Sequence, residues 1–312
     1  MDWVVEVLRR ERPRPPRPRW RVALLLFLAT LLTTTIVGAR LQYSFSRGQP
    51  AYVSSDDLFP FPWAWHHPGQ LAAGLPFSLA LMSILLAHEL GHLLACRYYR
   101  LDSTLPMFLP APTLIGTMGA FIRIKDRFLD RREVFDVGIA GPLAGMALTV
   151  PLLAYGLATS RVLSPAQAAI WHRQWIEFGW PPLAIWFAGW LHPGTSLSQL
   201  APSPVARAAW MGLLVTMLNL LPAAQLDGGH ILYAVSPRVH RVASWSTLLL
   251  LVIAGWFYWP GWYVFAAFIA LMLVRHPHVP EMRPLGRARA ILALATVAIF
   301  LAAFTALPVA SA

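Results

Sequence analysis

The chain has 312 residues, of which 57% are hydrophobic and 12% are charged, and its formal net charge is +11. A water-soluble domain does not hide that much apolar surface, so the composition excludes an ordinary globular protein and indicates a single membrane domain. The basic residues do not indicate nucleic-acid binding. With the N-terminus in the cytoplasm and seven membrane spans, 20 of the 25 Lys and Arg residues lie on the cytoplasmic side, which is the positive-inside bias.

The N-terminal region contains a basic tail followed by the first apolar segment. Residues 1–21 are rich in Pro and Arg, and we expect a disordered cytoplasmic tail. The first span is Val22–Ala39, and its apolar stretch is longer than the roughly 7–15 residues of a signal peptide. This length favours a retained anchor over a cleaved leader. Residues 22–71 therefore comprise the first transmembrane anchor and an outer loop.

Six further segments have the length and apolar character of membrane spans: Ala72–Ala95, Val134–Ala158, Val205–Leu221, Ala243–Tyr258, Gly261–Val274 and Ala290–Leu307. The segment Pro181–Leu191 is too short to cross a bilayer, so we expect it in the membrane interface or as a re-entrant segment. The single cysteine excludes an intramolecular disulfide. These patterns predict an all-α polytopic membrane protein with about seven transmembrane helices. The core is residues 72–235, and the C-terminal helices follow in residues 236–312.

The second span contains "HELGH", two histidines and a glutamate inside an otherwise apolar segment. His88 and His92 are four residues apart, so a helix places them on one face, one turn apart. Two imidazoles at this spacing bind one zinc ion, and Glu89 lies beside them as a general base toward a metal-activated water. Ionisable groups within a span cost about 2.5–3.5 kcal/mol each on insertion scales and are usually functional. The alternative is a set of structural hydrogen bonds between helices.

A zinc site needs a third protein ligand, and the segment "NLLPAAQLDGG" (Asn219–Gly229) offers Asp227. Pro222 ends the span and frees backbone carbonyls near Asn219. Gly228 and Gly229 are then expected to allow a tight turn after Asp227. The alternative is an ordinary turn in which Asp227 caps the next helix. Topology favours the ligand, because the second and fourth spans run in the same direction and bring both motifs to one membrane level.

Other polar residues near these motifs have simpler explanations. Cys96 lies four residues after His92, but a lone buried cysteine usually serves as a small packing residue. His230 either assists the site or faces lipid headgroups, and His240 is expected in a cytoplasmic turn without a role. Asp136 lies at the entrance of a span, where the N-terminus of a helix accounts for a carboxylate.

The two motifs together resemble those of the site-2 protease family of intramembrane zinc metalloproteases, from about Ala72 to Val235. The resemblance implies that His88, His92 and Asp227 bind one zinc ion (Zn²⁺) per chain and that Glu89 is the catalytic base. It also implies that Asn219 holds the substrate backbone or the oxyanion.

Two more segments resemble parts of this family. "FDVGIAGPLAG" is similar to its glycine-rich third core span, in which Gly141 and Gly145 let another helix approach closely. "GTMGAFIRIKDR" is similar to its short re-entrant β-like segment after the zinc helix, in which Gly119 and Phe121 belong to a strand whose edge receives an unwound substrate. An ordinary cytoplasmic loop with one amphipathic strand has the same pattern.

The predicted function is hydrolysis of a peptide bond within or near the transmembrane helix of a membrane-protein substrate, as in regulated intramembrane proteolysis. The alternative is a zinc-binding membrane scaffold or a metal transporter, and few further carboxylates or histidines lie in the spans to form a transport path. The partners are the lipid bilayer and the substrate, with no nucleic acid. We expect a multi-pass protein of a bacterial inner membrane, with its site near the cytoplasmic face. The sequence leaves the substrate, the need for a prior cleavage, the gating mechanism, the oligomeric state and the function of the C-terminal spans open.

Overall fold

A computed structural model of the chain describes residues 19–171, 176–272, 279–280 and 283–311. Most of these residues are helical, and the basic tail predicted for residues 1–21 lies almost entirely outside them. The helices are α1 (Trp20–Ser46), α2 (Ser55–Leu58), α3 (Phe61–His66), α4 (Leu75–Tyr98), α5 (Arg131–Ala158), α6 (Pro165–Trp171), α7 (Pro182–Leu191), α8 (Pro204–Asn219), α9 (Asp227–Val235), α10 (Pro237–Phe257), α11 (Gly261–Met272) and α12 (Arg287–Ala303). Short 3₁₀ segments lie at Pro68–Gly74 and Leu197–Gln199.

Four of the helices in the described part of the chain are long and apolar enough to cross a membrane, namely α1, α4 with its preceding 3₁₀ turn, α5 and α10. The protein is therefore a mostly helical membrane protein. The other three predicted spans also coincide with helices, but α8 has 16 residues, α11 has 12 and α12 has 17. A 12-residue helix is only about 18 Å long, which is less than the apolar thickness of a bilayer. The count of seven spans stays a prediction.

The core of the molecule is formed by α4, α5 and α8, which pack directly on one another. Small residues allow this close approach. A side chain at Gly91 of α4 would collide with the backbone carbonyl of Ala140 on α5. A side chain at Gly156 of α5 would collide with the backbone of Ala206 on α8. Helices in lipid associate through such close contacts, because lipid tails are as apolar as their side chains.

The segment after α4 folds as an antiparallel hairpin of two strands, β1 (Met107–Pro110) and β2 (Thr117–Phe121), where the sequence indicated one strand. The hairpin packs on α1: the Thr33 hydroxyl donates a 2.6 Å hydrogen bond to the carbonyl of Gly116, and Phe27 meets Phe108 edge-on at 5.2 Å. Thr33 is about 20 Å along α1 from its first residue at 1.5 Å per residue.

The long connection between α5 and α8 contains short strands. They are β3 (Arg161–Val162), β4 (Ile176–Phe178) and β5 (Leu200–Ala201), and β6 (Val309–Ser311) follows α12. Strand β3 pairs with β5, and β4 pairs with β6, both antiparallel. No pattern in the sequence predicts the β4–β6 pair, which joins this connection to the segment after α12. The short segment predicted at the interface forms helix α7, with Trp186 and Trp190 exposed.

Candidate metal centre

Helix α4 places His88, Glu89 and His92 in the interior of the molecule. The residues around them are apolar helix formers, and the four-residue spacing stacks the two imidazoles on one face. All three side chains are buried, and the His88 and His92 rings meet edge-on with centroids 4.8 Å apart. The polar side chains therefore face the protein and not lipid.

Helix α5 supports both histidines through its glycines. A side chain at Gly141 would collide with the His92 ring, and one at Gly145 would come within 3.3 Å of His88. The sequence predicted these two glycines as points of close helix contact, and the structure places them directly under the imidazoles. The contact is one reason why the histidines lie at fixed positions.

A backbone group of α5 orients the second histidine. The Nδ1 atom of His92 lies 2.8 Å from the carbonyl oxygen of Val137 and donates to it. In a neutral ring this leaves the lone pair on Nε2, which is the arrangement found in histidines that bind metals. The sequence does not identify Val137 for this role, because its backbone carbonyl accepts the hydrogen bond and its side chain takes no part.

Asp227 reaches the same place from the turn after α8. Helix α8 ends at Asn219, and α9 begins at Asp227. Asp227 is the first residue of α9, and Leu226, not Asp227, occupies the cap position. The carboxylate faces His88 and His92 instead. The reading of Asp227 as an ordinary helix cap is therefore wrong.

The two glycines after Asp227 have a different role from the predicted one. Both lie within α9 with ordinary helical backbone, so they do not form a turn. A side chain at Gly228 would collide with the Leu220 carbonyl, and one at Gly229 would meet the Ala223 carbonyl at 2.5 Å. They are needed because α9 packs against the backbone of the turn. The chain reverses before Asp227, where Ala224 has a φ of 51°.

Two side chains of helix α10 form hydrogen bonds with the backbone of this turn. His240 Nε2 donates to the carbonyl of Ala224 at 2.9 Å, and the Ala224 N–H donates to the hydroxyl of Ser244 at 3.1 Å. Both side chains are buried. The expectation that His240 lies in a cytoplasmic turn without a role is wrong: it is in the first turn of α10 and fixes the conformation three residues before Asp227.

The three candidate ligands converge closely. His88 Nε2 lies 3.1 Å from His92 Nε2 and 3.2 Å from Asp227 Oδ2. His92 Nε2 lies 3.3 Å from Asp227 Oδ1. These separations match the distance between two ligand atoms on a tetrahedral zinc ion, about 3.3 Å for bonds of about 2.0–2.1 Å.

A second observation favours a metal ion at this point. Asp227 Oδ2 is buried and makes no hydrogen bond of normal geometry, although it lies 3.2 Å from His88 Nε2. A buried carboxylate oxygen without a donor is costly, and a cation among the three side chains removes that cost. Within the described residues, His88, His92 and Asp227 are the single group of three metal-ligating side chains this close together.

Two further residues lie at the rim of this cluster. The carboxyl group of Glu89 interacts with the backbone N–H of Ile122, the residue after strand β2. Asn219 is half-buried, and its Nδ2 lies 3.3 Å from His88 Nε2. Pro222 lies in the turn between α8 and α9, as the sequence predicted. The predicted strand residues Gly119 and Phe121 belong to β2, which leads to Ile122.

Other polar residues near the motifs are engaged elsewhere. Cys96 is fully buried in an apolar cluster that includes Tyr99, and it does not join the ligand group. His230 packs edge-on against Phe128.

Asp136 is not explained by a helix terminus, because it lies five residues inside α5. It accepts hydrogen bonds from Arg289 of α12 at 2.6 and 2.8 Å, and from the hydroxyl of Tyr99. This pair joins residues 153 positions apart, and spacing along the sequence gave no sign of it.

The sequence is similar to a known family and to several plant proteins. The profile of peptidase family M50 matches residues 76–254, more than half of the chain. The chain is 32% identical over 233 residues to the probable zinc metalloprotease EGY1, chloroplastic, of Arabidopsis thaliana, covering 72% of this chain and 41% of that protein. It is 34% identical over 171 residues to the probable zinc metalloprotease EGY2, chloroplastic, of Arabidopsis thaliana, covering 54% and 30%.

A third relative is the probable zinc metalloprotease EGY1, chloroplastic, of Oryza sativa subsp. japonica, at 32% identity over 237 residues, covering 72% of this chain and 40% of that protein. The chain thus spans about two fifths or less of the length of these relatives. The family profile includes both histidines, Glu89 and Asp227 within its matched range. The chain belongs to peptidase family M50.

Proposed function

We propose that this protein is an intramembrane zinc metalloprotease that cleaves a membrane-protein substrate within or near its transmembrane helix. The observation that supports it most is the convergence of His88, His92 and Asp227: the two Nε2 atoms lie 3.1 Å apart, and each lies 3.2–3.3 Å from one of the two carboxylate oxygens of Asp227. His88, His92 and Asp227 would hold the zinc ion, which would lower the pKa of a water molecule and polarise a carbonyl group. One ion per chain is the stoichiometry that this single cluster supports.

Glu89 is the residue proposed to move the proton. It is buried one residue from His88, on the turn of α4 that carries both histidines. It accepts a proton from the attacking water and donates that proton to the amine nitrogen that leaves. The N–H of Ile122 orients its carboxyl group. The Asn219 amide, beside His88, donates to the oxygen that becomes negatively charged.

The hairpin offers a way to hold an unwound substrate. A transmembrane helix hides its backbone in internal hydrogen bonds, so it must open before hydrolysis. Strand β2 pairs only with β1 among the described residues, so its other edge has no strand partner and could pair with an added strand. The segment that follows β2 reaches Glu89 through Ile122. A substrate strand on this edge lies beside the catalytic base, and we propose that the hairpin is the re-entrant segment.

The orientation in the membrane rests on charge. Seven spans with a cytoplasmic N-terminus put the metal centre near the cytoplasmic face, where water has a short path to it. The relatives carry "chloroplastic" in their names. A bacterial inner membrane is proposed for this chain on its composition, since Lys125 is its single lysine among many arginines.

The test separates metal binding from proteolysis. Native protein and the variants Glu89→Gln, His92→Ala and His66→Ala are expressed in cells, and the membrane proteomes are searched for fragments cut within a span. Zinc per purified chain is measured in parallel. His66 is an exposed histidine in α3, so it controls for the loss of an imidazole.

We expect about one zinc ion in native protein, Glu89→Gln and His66→Ala, and little in His92→Ala. Fragments are expected with native protein and His66→Ala alone, because loss of a general base slows the reaction by about 10²–10⁴-fold. If, in the native organism, Glu89→Gln yields the same fragments as native protein, the protein is not a protease that uses this base. Zinc binding without any fragment there supports a metal-binding scaffold.

A further inference from the structure

A buried arginine lies at the end of α8 that is remote from the metal centre. Arg207 is the fourth residue of that helix, whereas Asn219 is the last. Twelve residues separate them, which is about 18 Å along the helix axis. Arg207 is only 7% exposed, although guanidinium groups are rarely buried without a partner. It takes no part in the proposed proteolysis.

Within the described residues, Arg207 has no carboxylate or carbonyl oxygen as a hydrogen-bond partner. Its guanidinium carbon lies 5.7 Å from the ring centre of Tyr52 and 5.9 Å from that of Phe178. Burial raises the pKa of the Tyr52 phenol, so this hydroxyl stays protonated at neutral pH and supplies no counter-charge. Among the residues that the structure describes, the Tyr52 hydroxyl also has no hydrogen-bond partner. A buried cation without an acceptor costs several kcal/mol, so a missing anion is the simplest way to balance it.

Arg207 lines a cavity that has room for such an anion. The cavity measures about 70 Å³ and shares a wall of Phe178, Gly179 and Trp180 with a second cavity of about 300 Å³. A water molecule takes about 30 Å³ in the liquid, so the second space is large enough for a small molecule. Most of the remaining walls are apolar, including Leu153, Trp171 and Trp210 of the first cavity. Glu177 also lines both cavities, and no ion pair between its carboxylate and Arg207 is present among the described residues.

We propose that this pair of cavities binds an oxyanion carried on an apolar body, with the anion at Arg207 and the apolar body among the tryptophans. The guanidinium presents parallel N–H groups that match a carboxylate or a phosphate, and such charge-assisted bonds are the strong ones in a desolvated site. The aromatic walls would contact the apolar body. The same chemistry is found in a free carboxylate with a short alkyl chain and in the headgroup of an anionic lipid.

The experiment uses full-length protein in a neutral detergent and hexanoate as the free carboxylate. Binding is measured by calorimetry for native protein, Arg207→Met, Arg207→Lys and Arg161→Met. Arg161 is an exposed arginine of β3, so it is the matched control for loss of one positive charge. Replacing a buried unpaired charge with an apolar residue is often neutral or stabilising, so Arg207→Met is expected to fold. Zinc content and circular dichroism verify folding independently of the ligand.

We expect native protein and Arg161→Met to bind hexanoate alike, and Arg207→Met to bind it about 10- to 100-fold more weakly. Arg207→Lys keeps the charge without the fork and is expected to be intermediate. A second arm places the proteins in phosphatidylcholine nanodiscs with or without phosphatidylglycerol, and native mass spectrometry counts the retained lipid.

Each outcome decides the proposal. Retention of phosphatidylglycerol that is lost in Arg207→Met supports it and identifies a lipid headgroup as the source. Arg207-dependent binding of hexanoate alone supports it with a free carboxylate as the source. Equal binding by native protein and Arg207→Met, or binding of neither probe, overturns it and leaves Arg207 hydrated by water in the cavity. None of these results depends on proteolytic activity.

Discussion

The substitution Gly141→Ala tests whether the glycine face of α5 positions the metal centre. The added methyl group would lie 2.5 Å from His92 Cε1 and 2.6 Å from its Cδ2, and closest to Nε2. Carbon atoms in contact normally lie about 3.5–4.0 Å apart. The imidazole must therefore move by about 1 Å, or α4 and α5 must separate.

Both adjustments cost free energy. His92 Nδ1 is held by the Val137 carbonyl at 2.8 Å, and Gly91 already lies against the backbone of α5. Overpacking of this kind costs about 1–3 kcal/mol. Metal–ligand distances tolerate shifts of only about 0.2 Å, so a movement of about 1 Å takes Nε2 out of the coordination position. We expect zinc affinity to fall by about 10- to 100-fold, as when a group that orients a ligand is lost.

The chain offers a graded control series for this prediction. Gly145→Ala would bring a methyl group to 3.3 Å from His88, so a small shift accommodates it. Gly189 lies in helix α7 with nothing within 4 Å, and Ala there is expected to stabilise the helix by about 0.5–1 kcal/mol. Zinc affinity is measured by competition with a chromophoric chelator, and stability by thermal unfolding in detergent. Native-like zinc affinity and stability in Gly141→Ala would refute the steric argument.

Three further predictions address the turn, the C-terminal helix and the ion. Ser244→Ala leaves the buried N–H of Ala224 without an acceptor, so it should lower the free energy of unfolding by about 1–3 kcal/mol in a denaturant titration. The control Ser46→Ala, at an exposed serine, should change the free energy of unfolding by less than about 0.5 kcal/mol. Asp136→Asn should cost about 1 kcal/mol, because the pair with Arg289 is 26–27% exposed; a double-mutant cycle that gives no coupling contradicts this. Chelation should lower the free energy of unfolding, and added zinc should raise it again, by about 2.7 kcal/mol at a zinc concentration of 100 times Kd. An unchanged free energy of unfolding argues against a metal site.

The convergence of His88, His92 and Asp227 was predictable, because each part of it depends on local spacing or on topology. Two histidines four residues apart share a helix face whatever the rest of the fold does. Their apolar surroundings made them conspicuous, since an ionisable group in a span is costly. Asp227 was found only by combining two spans that run in one direction. That inference needed no contact prediction, and the structure places its carboxylate 3.2–3.3 Å from both imidazoles.

The supporting contacts were not predictable, because they use backbone groups or partners distant in sequence. The Val137 carbonyl and the N–H of Ala224 belong to residues whose side chains carry no signal. Asp136 and Arg289 are 153 residues apart, and strand β4 pairs with the end of the chain. No local period connects such segments, so they emerge only when helices are packed.

The glycines of the two motifs also show that the sequence alone does not reveal why a glycine is needed. Gly141 was expected to permit close contact, and it does. Gly228 was expected to permit a turn, but its backbone is helical and it also serves close contact, against the carbonyl of Leu220. The turn needs its left-handed residue at Ala224, where the φ of 51° disfavours any residue with a side chain. A sequence shows where glycine occurs, but only the packed structure shows whether space or backbone angle requires it.

The candidate metal centre is assembled from four segments, and this determines what a bound zinc ion would stabilise. His88 and His92 come from α4, their supports from α5, Asp227 from the start of α9, and the restraint on its turn from α10. Its polar side chains are costly to bring together away from water, and Asp227 Oδ2 makes no hydrogen bond of normal geometry. A bound ion would offset that cost only when all four segments are in place. Its binding energy therefore acts on the packing of the helices against one another, and not on the formation of any single helix.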